Sequence, residues 1–376
     1  MAKAKVIFVC SQCGHEEPKW AGRCSDCGEW NTFTEVSPTA SAKTGKTGAG
    51  RVRKTGTGSL PLASISADQG KRISTQIDEV DRVLGGGMVR GSSILIGGEP
   101  GIGKSTLMLQ VAVSAAAGAT SGSASAGPIL YVTGEESAIQ LKQRAVRLGN
   151  GDAKVEVLCE TDLESVVRSL QSLKPGLVVI DSIQTLVSPE LGSVPGTPNQ
   201  IKYCCHEIVS YCRERGCPVF LVAHVTKEGS IAGPKLIEHM VDTVLYFDQS
   251  SSELRILRAS KNRFGSVDEI GLFTMTATGL EQVRNPAALF LVQRDGELPA
   301  GIIVAPVYEG SRVLLVEIQS LVVPAKGAVS RIFSDKIDSS RVSRTAAVLE
   351  KHLSLRFSDQ DIYVNVAGGI KISEVG

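Results

Sequence analysis

The fold and the chemistry of this chain are limited first by a glycine-rich segment, Gly98-Glu99-Pro100-Gly101-Ile102-Gly103-Lys104-Ser105-Thr106. An apolar run precedes it at 93–96 and a helical pattern follows at 107–113, the strand–loop–helix context of the motif G-x-x-x-x-G-K-[ST]. Glycines let backbone N–H groups converge on phosphate oxygens, and the positive end of the helix adds to the attraction. In this motif the Lys104 ammonium contacts the β- and γ-phosphates, and the Ser105 hydroxyl binds Mg²⁺. The segment predicts a nucleotide site with Mg²⁺.

Length and composition set broad limits on the rest of the chain. A length of 376 residues predicts two or three domains, and a hydrophobic content of 42% is enough to build their cores. No run of 18 apolar residues occurs, so we expect no membrane span. The start, Met-Ala-Lys-Ala-Lys, lacks the apolar core of a signal peptide. Together with the cysteine usage, this favours a reducing cytoplasm.

A first module is predicted over residues 1–36. Four cysteines have the spacing of a zinc ribbon: Cys10, Cys13, Cys24 and Cys27. Each C-x-x-C turn directs two thiolates at one ion, which predicts a closed, structural Zn²⁺ site. A redox C-x-x-C pair is the alternative, and the presence of two pairs disfavours it. We expect Trp20 and Trp30 to pack around the metal site, with a docking surface as the alternative.

Residues 37–59 are predicted to be a flexible basic linker. The segment is rich in Ala, Ser, Thr, Gly and Lys, and it carries five basic residues and no acidic one. Contact with nucleic acid is an alternative to a solvated tether.

A domain over residues 60–285 is predicted to be α/β, because apolar strand-like runs alternate with helical patterns. The run at 177–181 ends in Asp181, the form of a Walker B motif, in which this carboxylate holds Mg²⁺ directly or through water. The run at 128–133 is predicted to be the strand next to the one that enters the phosphate loop.

Two acidic residues follow the 128–133 strand, Glu135 and Glu136. Ligands bind at the carboxyl edge of such sheets, so one of the two is predicted to orient the attacking water. His224 ends a further strand, where either a γ-phosphate sensor or a structural histidine is expected.

Four cationic residues beyond the phosphate loop are further candidates. Lys261 and Arg263 could neutralise transition-state charge if a neighbouring subunit inserts them, and an ordinary exposed turn is the alternative. A loop at 225–235 carries Lys227 and Lys235 and could contact a polymer such as DNA. A plain surface loop is the alternative for this segment.

Residues 286–376 are predicted to form a separate α+β domain. Strand patterns occur at 288–292, 301–307, 313–319 and 361–366, with an amphipathic helix at 341–352. The chain stops just after the last strand, which leads us to expect an incomplete domain.

The combined motifs resemble the RadA (Sms) family of bacterial recombination and repair ATPases. Those that carry the resemblance are the four-cysteine finger, the phosphate loop, Tyr-Val-Thr-Gly-Glu-Glu-Ser at 131–137, Val-Ile-Asp-Ser-Ile-Gln-Thr at 179–185 and Lys-Asn-Arg-Phe-Gly at 261–265. The resemblance implies a RecA-like ATPase core between a zinc finger and a domain similar to that of Lon proteases. It also implies ATP hydrolysis coupled to single-stranded and branched DNA, branch migration alongside the RecA recombinase, and a homohexameric ring.

The family likeness also implies roles for individual residues. Lys104 and Ser105 would contact phosphate and Mg²⁺, Asp181 would be the Walker B residue, and Glu135 would orient the water. Lys261 and Arg263 would act in trans. The segment in which Lon proteases carry their Ser–Lys pair would lie beyond the last residue here, so no peptidase activity is expected.

Two functions of other classes are alternatives to a DNA-dependent motor. An ATP-dependent protease, or its remnant, would need a nucleophile with a paired base, and the sequence shows no specific arrangement of that kind. A nucleotide-gated module of the KaiC type shares the RecA-like core, but the finger and the 261–265 motif count against it.

Overall fold

The structure is a computed structural model. It describes residues 7–10, 16–17, 19–25, 28–36, 72–120, 127–192, 194–224, 234–249, 254–286, 290–291, 296, 299–325, 327, 330–367 and 372. The predicted linker at 37–59 lies outside these residues, as do Cys13, Cys27 and Lys227.

A small antiparallel sheet near the N-terminus is built from β1 (Ile7–Cys10), β2 (Glu16–Glu17) and β3 (Phe33–Val36), in the order β2-β1-β3. Cys10, Cys24 and Phe33 are buried together in it. Trp20 is 54% exposed and Trp30 is 67% exposed, so neither of the tryptophans that were expected to pack around the metal site is buried. So small a module has little interior, and among its described residues Cys10, Cys24 and Phe33 fill it.

The central unit is a sheet of nine strands. They are β4 (Ser93–Gly97), β5 (Ile129–Thr133), β6 (Val155–Cys159), β7 (Leu177–Asp181), β8 (Val219–Val222), β9 (Thr243–Gln249), β10 (Leu254–Asn262), β11 (Ile270–Thr276) and β12 (Gly279–Gln282). The order across the sheet is β12-β11-β10-β9-β4-β8-β7-β5-β6. The six strands β9, β4, β8, β7, β5 and β6 pair in parallel with their neighbours. Strands β10, β11 and β12 extend the sheet beyond β9 and pair antiparallel.

The α/β prediction is confirmed, with one error in the strand order. Strands β4, β5, β7 and β8 are buried along their whole length, which explains their nearly continuous apolar sequences. However, β4 pairs with β8 and β9, so β5 is not the neighbour of the strand that enters the phosphate loop. Strand β6 was not predicted, because it is an edge strand whose apolar run is broken by Glu156.

Helices cover the central sheet. They are α1 (Asp78–Val83), α2 (Lys104–Thr120), α3 (Ala138–Arg147), α4 (Leu163–Leu173), α5 (Pro198–Arg215) and α6 (Pro234–Ile237). Two apolar clusters result, one around α1 and α2 and the other around α4 and α5. The capping box Ser137–Gln140 begins α3, and Asp162 caps α4, so local sequence sets both helix starts.

The C-terminal part forms a four-stranded sheet in the order β13-β14-β16-β15, with β13 (Ile302–Glu309), β14 (Arg312–Pro324), β15 (Ile332–Ser334) and β16 (Gln360–Val366). Helix α7 (Ser339–Leu353) packs beside β15. The predicted hairpin, helix and last strand are confirmed. Of the strand predicted at 288–292, only 290 and 291 are described, and neither is in a strand.

The C-terminal sheet is attached to the central sheet through apolar and ionic contacts. Side chains of β10, β11, β13, β14 and β16 share one apolar cluster. Glu79 of α1 is 6% exposed, and its carboxylate accepts hydrogen bonds from the Leu272 amide (2.8 Å) and the Arg312 guanidinium (2.6 Å). The predicted α+β unit is therefore joined to the core by a buried ion pair.

Across the described ranges, no helix is both long enough and apolar enough to cross a bilayer.

Substitution Glu79→Ala tests this connection. It should lower the free energy of unfolding by about 3 kcal/mol, because it leaves a buried amide and a mostly buried arginine without their acceptor. Urea denaturation measures the change. The matched control is Asp78→Asn on the exposed side of the same helix, which should change stability by less than about 0.5 kcal/mol. Equal midpoints for the two variants would contradict the assignment.

Candidate nucleotide-binding site

The glycine-rich loop runs from the carboxyl end of β4 to the first turn of α2. Gly101 and Gly103 adopt φ values of 79° and 111°, which side chains disfavour. A Cβ on Gly98 would lie 2.5 Å from the Phe247 carbonyl oxygen, and one on Gly103 would lie 2.7 Å from the Met275 methyl group. The loop therefore needs glycine both for its backbone shape and for its close contact with β9 and β11.

Lys104 lies beneath this loop and is 3% exposed. Its ammonium donates to the carbonyl oxygens of Gly98 (2.7 Å) and Glu99 (2.9 Å). Burial lowers the pKa of Lys104 to about 8, and the charges of Asp181 and Glu135 partly oppose that shift. Two other predicted site residues, Asp181 and Glu135, therefore lie near the Lys104 cation, to which a phosphate would be a favourable partner.

Asp181 ends β7 and is 5% exposed. The Tyr131 hydroxyl donates to its Oδ2 atom at 2.5 Å and lies 3.5 Å from the Ser105 carbonyl oxygen. The other oxygen, Oδ1, is buried and has no hydrogen-bond partner among the described residues. Carboxylate and hydroxyl oxygens suit Mg²⁺, so Asp181 and Ser105 fit the metal that the sequence predicts.

The two glutamates after β5 have different surroundings. Arg144 forms an ion pair with Glu136 and so engages its carboxylate. The Oε1 atom of Glu135 accepts a hydrogen bond from the Ser182 hydroxyl (2.7 Å) and lies 3.2 Å from Nε2 of His224. Although β5 is not beside β4, Glu135 and His224 therefore meet over the carboxyl ends of β7 and β8.

Three residues of this region were missed by the sequence reasoning: Tyr131, Ser182 and Arg255. Ser182 directly follows Asp181, and Tyr131 is the aromatic residue in the strand before the two glutamates, so both carried a usable signal. Arg255 of β10 is 8% exposed and donates to the carbonyl oxygen of Ile102 at 3.2 Å. Nothing local in the sequence indicates that this arginine reaches the phosphate loop.

Lys261 and Arg263 lie at the opposite edge of the sheet. Asn262 pairs with Thr243, which pairs with Ile94 near the amino end of β4. At a rise of about 3.3 Å per residue, this position is about 13 Å along the strand from the phosphate loop. The structure therefore does not bring Lys261 or Arg263 to the nucleotide site of its own chain.

The remaining predicted residues are only partly described. Cys10 and Cys24 are 0% and 2% exposed, and cysteine sulfur is a donor that suits Zn²⁺. Lys235 is exposed on α6.

This chain is similar to known proteins both in its nucleotide-binding region and over its whole length. Residues 61–230 match the AAA domain family, and residues 8–35 match the rubredoxin metal binding domain. DNA repair protein RadA of Treponema pallidum is 52% identical over 99% of this chain and 79% of its own length. The proteins of the same name from Bacillus subtilis and Pseudomonas aeruginosa are each 45% identical, over all of this chain and 80% of their own length. The chain belongs to the RadA family.

Family membership places the described site in context. The AAA match includes Lys104, Glu135, Asp181 and His224, and it stops before Lys261 and Arg263. An AAA domain implies ATP and Mg²⁺ as ligands, and the rubredoxin match indicates metal binding by the N-terminal module.

Substitution Tyr131→Phe tests the role of the hydrogen bond to Asp181. Without the hydroxyl, the carboxylate loses its fixed orientation, and the Mg²⁺ concentration that half-saturates nucleotide binding should rise at least about tenfold. A fluorescent ATP analogue titrated at varied Mg²⁺ concentrations measures this. Tyr211→Phe, which removes a hydroxyl bonded to the Leu170 carbonyl oxygen, should leave the Mg²⁺ dependence unchanged. An unchanged dependence in both variants would show that Tyr131 has no such role.

The lowered pKa of Lys104 predicts proton uptake on nucleotide binding. Near pH 8 part of the Lys104 population is neutral, and the phosphates should raise its pKa again, so binding takes up about half a proton. Affinity should fall as the pH rises through 8. Calorimetry of a non-hydrolysable ATP–Mg²⁺ complex in buffers of different ionisation enthalpy measures the uptake. Uptake that is as large at pH 6.5, or that persists in Lys104→Met, would contradict this assignment.

Proposed function

We propose that this chain is a DNA-dependent ATPase that binds single-stranded DNA and promotes branch migration of recombination intermediates during repair. The observation that carries the proposal is that Lys104 lies under the phosphate loop, while Asp181 and Glu135 lie at the carboxyl ends of the paired strands β7 and β5, held by hydrogen bonds from Tyr131 and Ser182. The RadA relatives, which are named as DNA repair proteins, support the part of the proposal that concerns DNA repair.

The proposed hydrolysis mechanism assigns a role to each of the residues beside the phosphate loop. The loop amides and Lys104 bind the phosphates of ATP and hold them in one orientation. Ser105 and Asp181 would hold Mg²⁺, which when bound neutralises charge on the β- and γ-phosphates. Glu135 orients the attacking water. Glu136 is less suited to that role, because its carboxylate is already paired with Arg144.

DNA binding is assigned to the segment that follows β8. Strand β8 ends at the same edge as the nucleotide site, and the 225–235 segment with Lys227 and Lys235 follows it. Nucleotide state could therefore alter the contacts that these lysines make with DNA phosphates. We further propose that copies of the chain form a homohexameric ring, in which Lys261 and Arg263 of one subunit act on ATP bound by the next. Their distance from their own phosphate loop supports an action in trans.

The flanking modules complete the proposal. Cys10, Cys13, Cys24 and Cys27 would hold one structural Zn²⁺ ion. Residues 286–376 would be related to the Lon-protease domain, with no peptidase activity. A cytoplasmic location and a partnership with the RecA recombinase stay predictions. Family membership weighs against the protease and KaiC-type alternatives.

The test is steady-state ATP hydrolysis with and without single-stranded DNA. We expect DNA to stimulate the wild type several-fold, with a steep loss at higher salt, and Lys104→Ala to abolish turnover. Lys154→Ala, an exposed lysine before β6, is the matched control and should behave as wild type.

Because a ring motor needs its sites to act in turn, a Lys261→Ala subunit should also impair the wild-type subunits of its ring, so mixing the variant with wild type should depress activity more than dilution alone predicts. If neither DNA nor mixing changed the rate of ATP hydrolysis, the motor proposal would be wrong, and the chain would act as a nucleotide-binding switch.

A further inference from the structure

A buried carboxylate at the amino edge of the central sheet holds two arginines. Asp242, which directly precedes β9, is 5% exposed and accepts hydrogen bonds from the Ser93 amide (3.1 Å) and hydroxyl (2.8 Å). Arg213 at the end of α5 lies 3.5 Å from Oδ1 of Asp242, and Arg263 lies 3.3 Å from the same atom. The side chains therefore come from three different elements and meet on one carboxylate.

The two guanidinium groups keep much of their hydrogen-bonding capacity. The Arg213 side chain is 54% exposed and that of Arg263 is 57% exposed. Each guanidinium has five N–H donors, and the contacts with Asp242 use only a few of them. Each guanidinium is more than half exposed, so a large part of each arginine is available to a ligand in addition to compensating the charge of the buried Asp242 carboxylate.

The local charge favours an anionic ligand. Lys261 lies nearby and donates to the carbonyl oxygens of Glu238 (2.8 Å) and Val241 (2.7 Å). Three cations thus face two carboxylates, those of Asp242 and Glu238, which leaves a net positive charge. Because Lys261 already donates to two carbonyl oxygens, the N–H groups of the two arginines are more available to a ligand. Paired guanidinium groups match the geometry of phosphate oxygens.

The phosphates of the chain's own nucleotide cannot be this ligand. Ser93 begins β4, and the phosphate loop follows its other end, so the two sites lie at opposite edges of the sheet. A second copy of the chain would present a bound nucleotide at its carboxyl edge. In the ring proposed above, the phosphates that suit the Arg213–Arg263 pair are those of the nucleotide bound by the neighbouring copy.

We propose that Arg213 is a second trans-acting arginine beside Arg263, and that Asp242 is the positioning residue for both. This inference rests on the proposed ring ATPase and adds Arg213 and Asp242 to its intersubunit site. Because α5 and the end of β10 are both anchored in the core, Asp242 presents the two guanidinium groups in one fixed arrangement.

The test is complementation between two inactive variants. Arg213→Ala should lower kcat at least about tenfold, since such arginines stabilise transition-state charge, while its own affinity for a fluorescent ATP analogue stays unchanged. Lys104→Ala is inactive for the opposite reason, because it keeps the arginine pair and loses the phosphate site. In an equal mixture, about a quarter of heterologous interfaces combine an intact Lys104 with an intact Arg213. Activity should therefore return on mixing.

Two controls separate the possible outcomes. Arg215→Ala, on the same helix but with its guanidinium over the Tyr211 ring at 5.7 Å, should retain wild-type kcat. Arg263→Ala mixed with Lys104→Ala should recover activity if the proposed ring exists at all. Recovery with Arg263→Ala but none with Arg213→Ala would overturn only the present inference. No recovery with either would overturn the trans-acting ring.

The role of Asp242 is tested with Asp242→Asn, which keeps a side-chain acceptor for Ser93 and loses the charge. We expect kcat to fall, with nucleotide affinity and thermal unfolding close to wild type, and activity to return on mixing with Lys104→Ala. Binding to labelled single-stranded DNA is measured in parallel with Arg213→Ala. Weaker DNA binding together with an unchanged DNA-free kcat would assign this edge to DNA and overturn the inference.

Discussion

The two-sided pairing of β4 is the constraint on which the rest of the structure depends. This five-residue strand is wholly buried and pairs in parallel with β8 on one side and β9 on the other. Its carboxyl end delivers the phosphate loop, and its first residue, Ser93, binds the carboxylate of Asp242. One short strand therefore fixes the position of the nucleotide site at one edge of the sheet and of the arginine pair at the other.

The nucleotide site is assembled by strands that are distant in sequence. Tyr131 from β5 orients Asp181 from β7, Ser182 contacts Glu135, and Arg255 from β10 donates to the backbone of the phosphate loop. These contacts hold donors and charges in defined positions beside the phosphate loop, so little reorganisation is needed when ATP binds. The lowered pKa of Lys104 follows from the same burial, because an ammonium with few water contacts is held at a cost that a phosphate would relieve.

The C-terminal sheet is joined to the same framework. It shares an apolar cluster with β10 and β11, and Arg312 reaches the buried carboxylate of Glu79. Strand β10 therefore contributes to three places at once: it packs against the C-terminal sheet, supports the phosphate loop through Arg255, and ends in Lys261 and Asn262. Helix α7 has no buried residue, so its packing against β15 is much looser than that of α2 or α5 against the central sheet.

The sequence by itself determined the elements that a few neighbouring residues are enough to specify. The spacing of Gly98, Gly103 and Lys104 specifies a phosphate loop, and the apolar runs before Glu135 and Asp181 specify buried strands, since these depend on a few adjacent residues. The tertiary structure alone decided which strands are neighbours. Pairing between distant segments leaves no periodic signal, so β5 was misplaced beside β4, and the contact of Arg255 with the loop was missed. The placement of Lys261 and Arg263 at the far edge has the same origin, because the antiparallel return of β10 carries them away from their own nucleotide site.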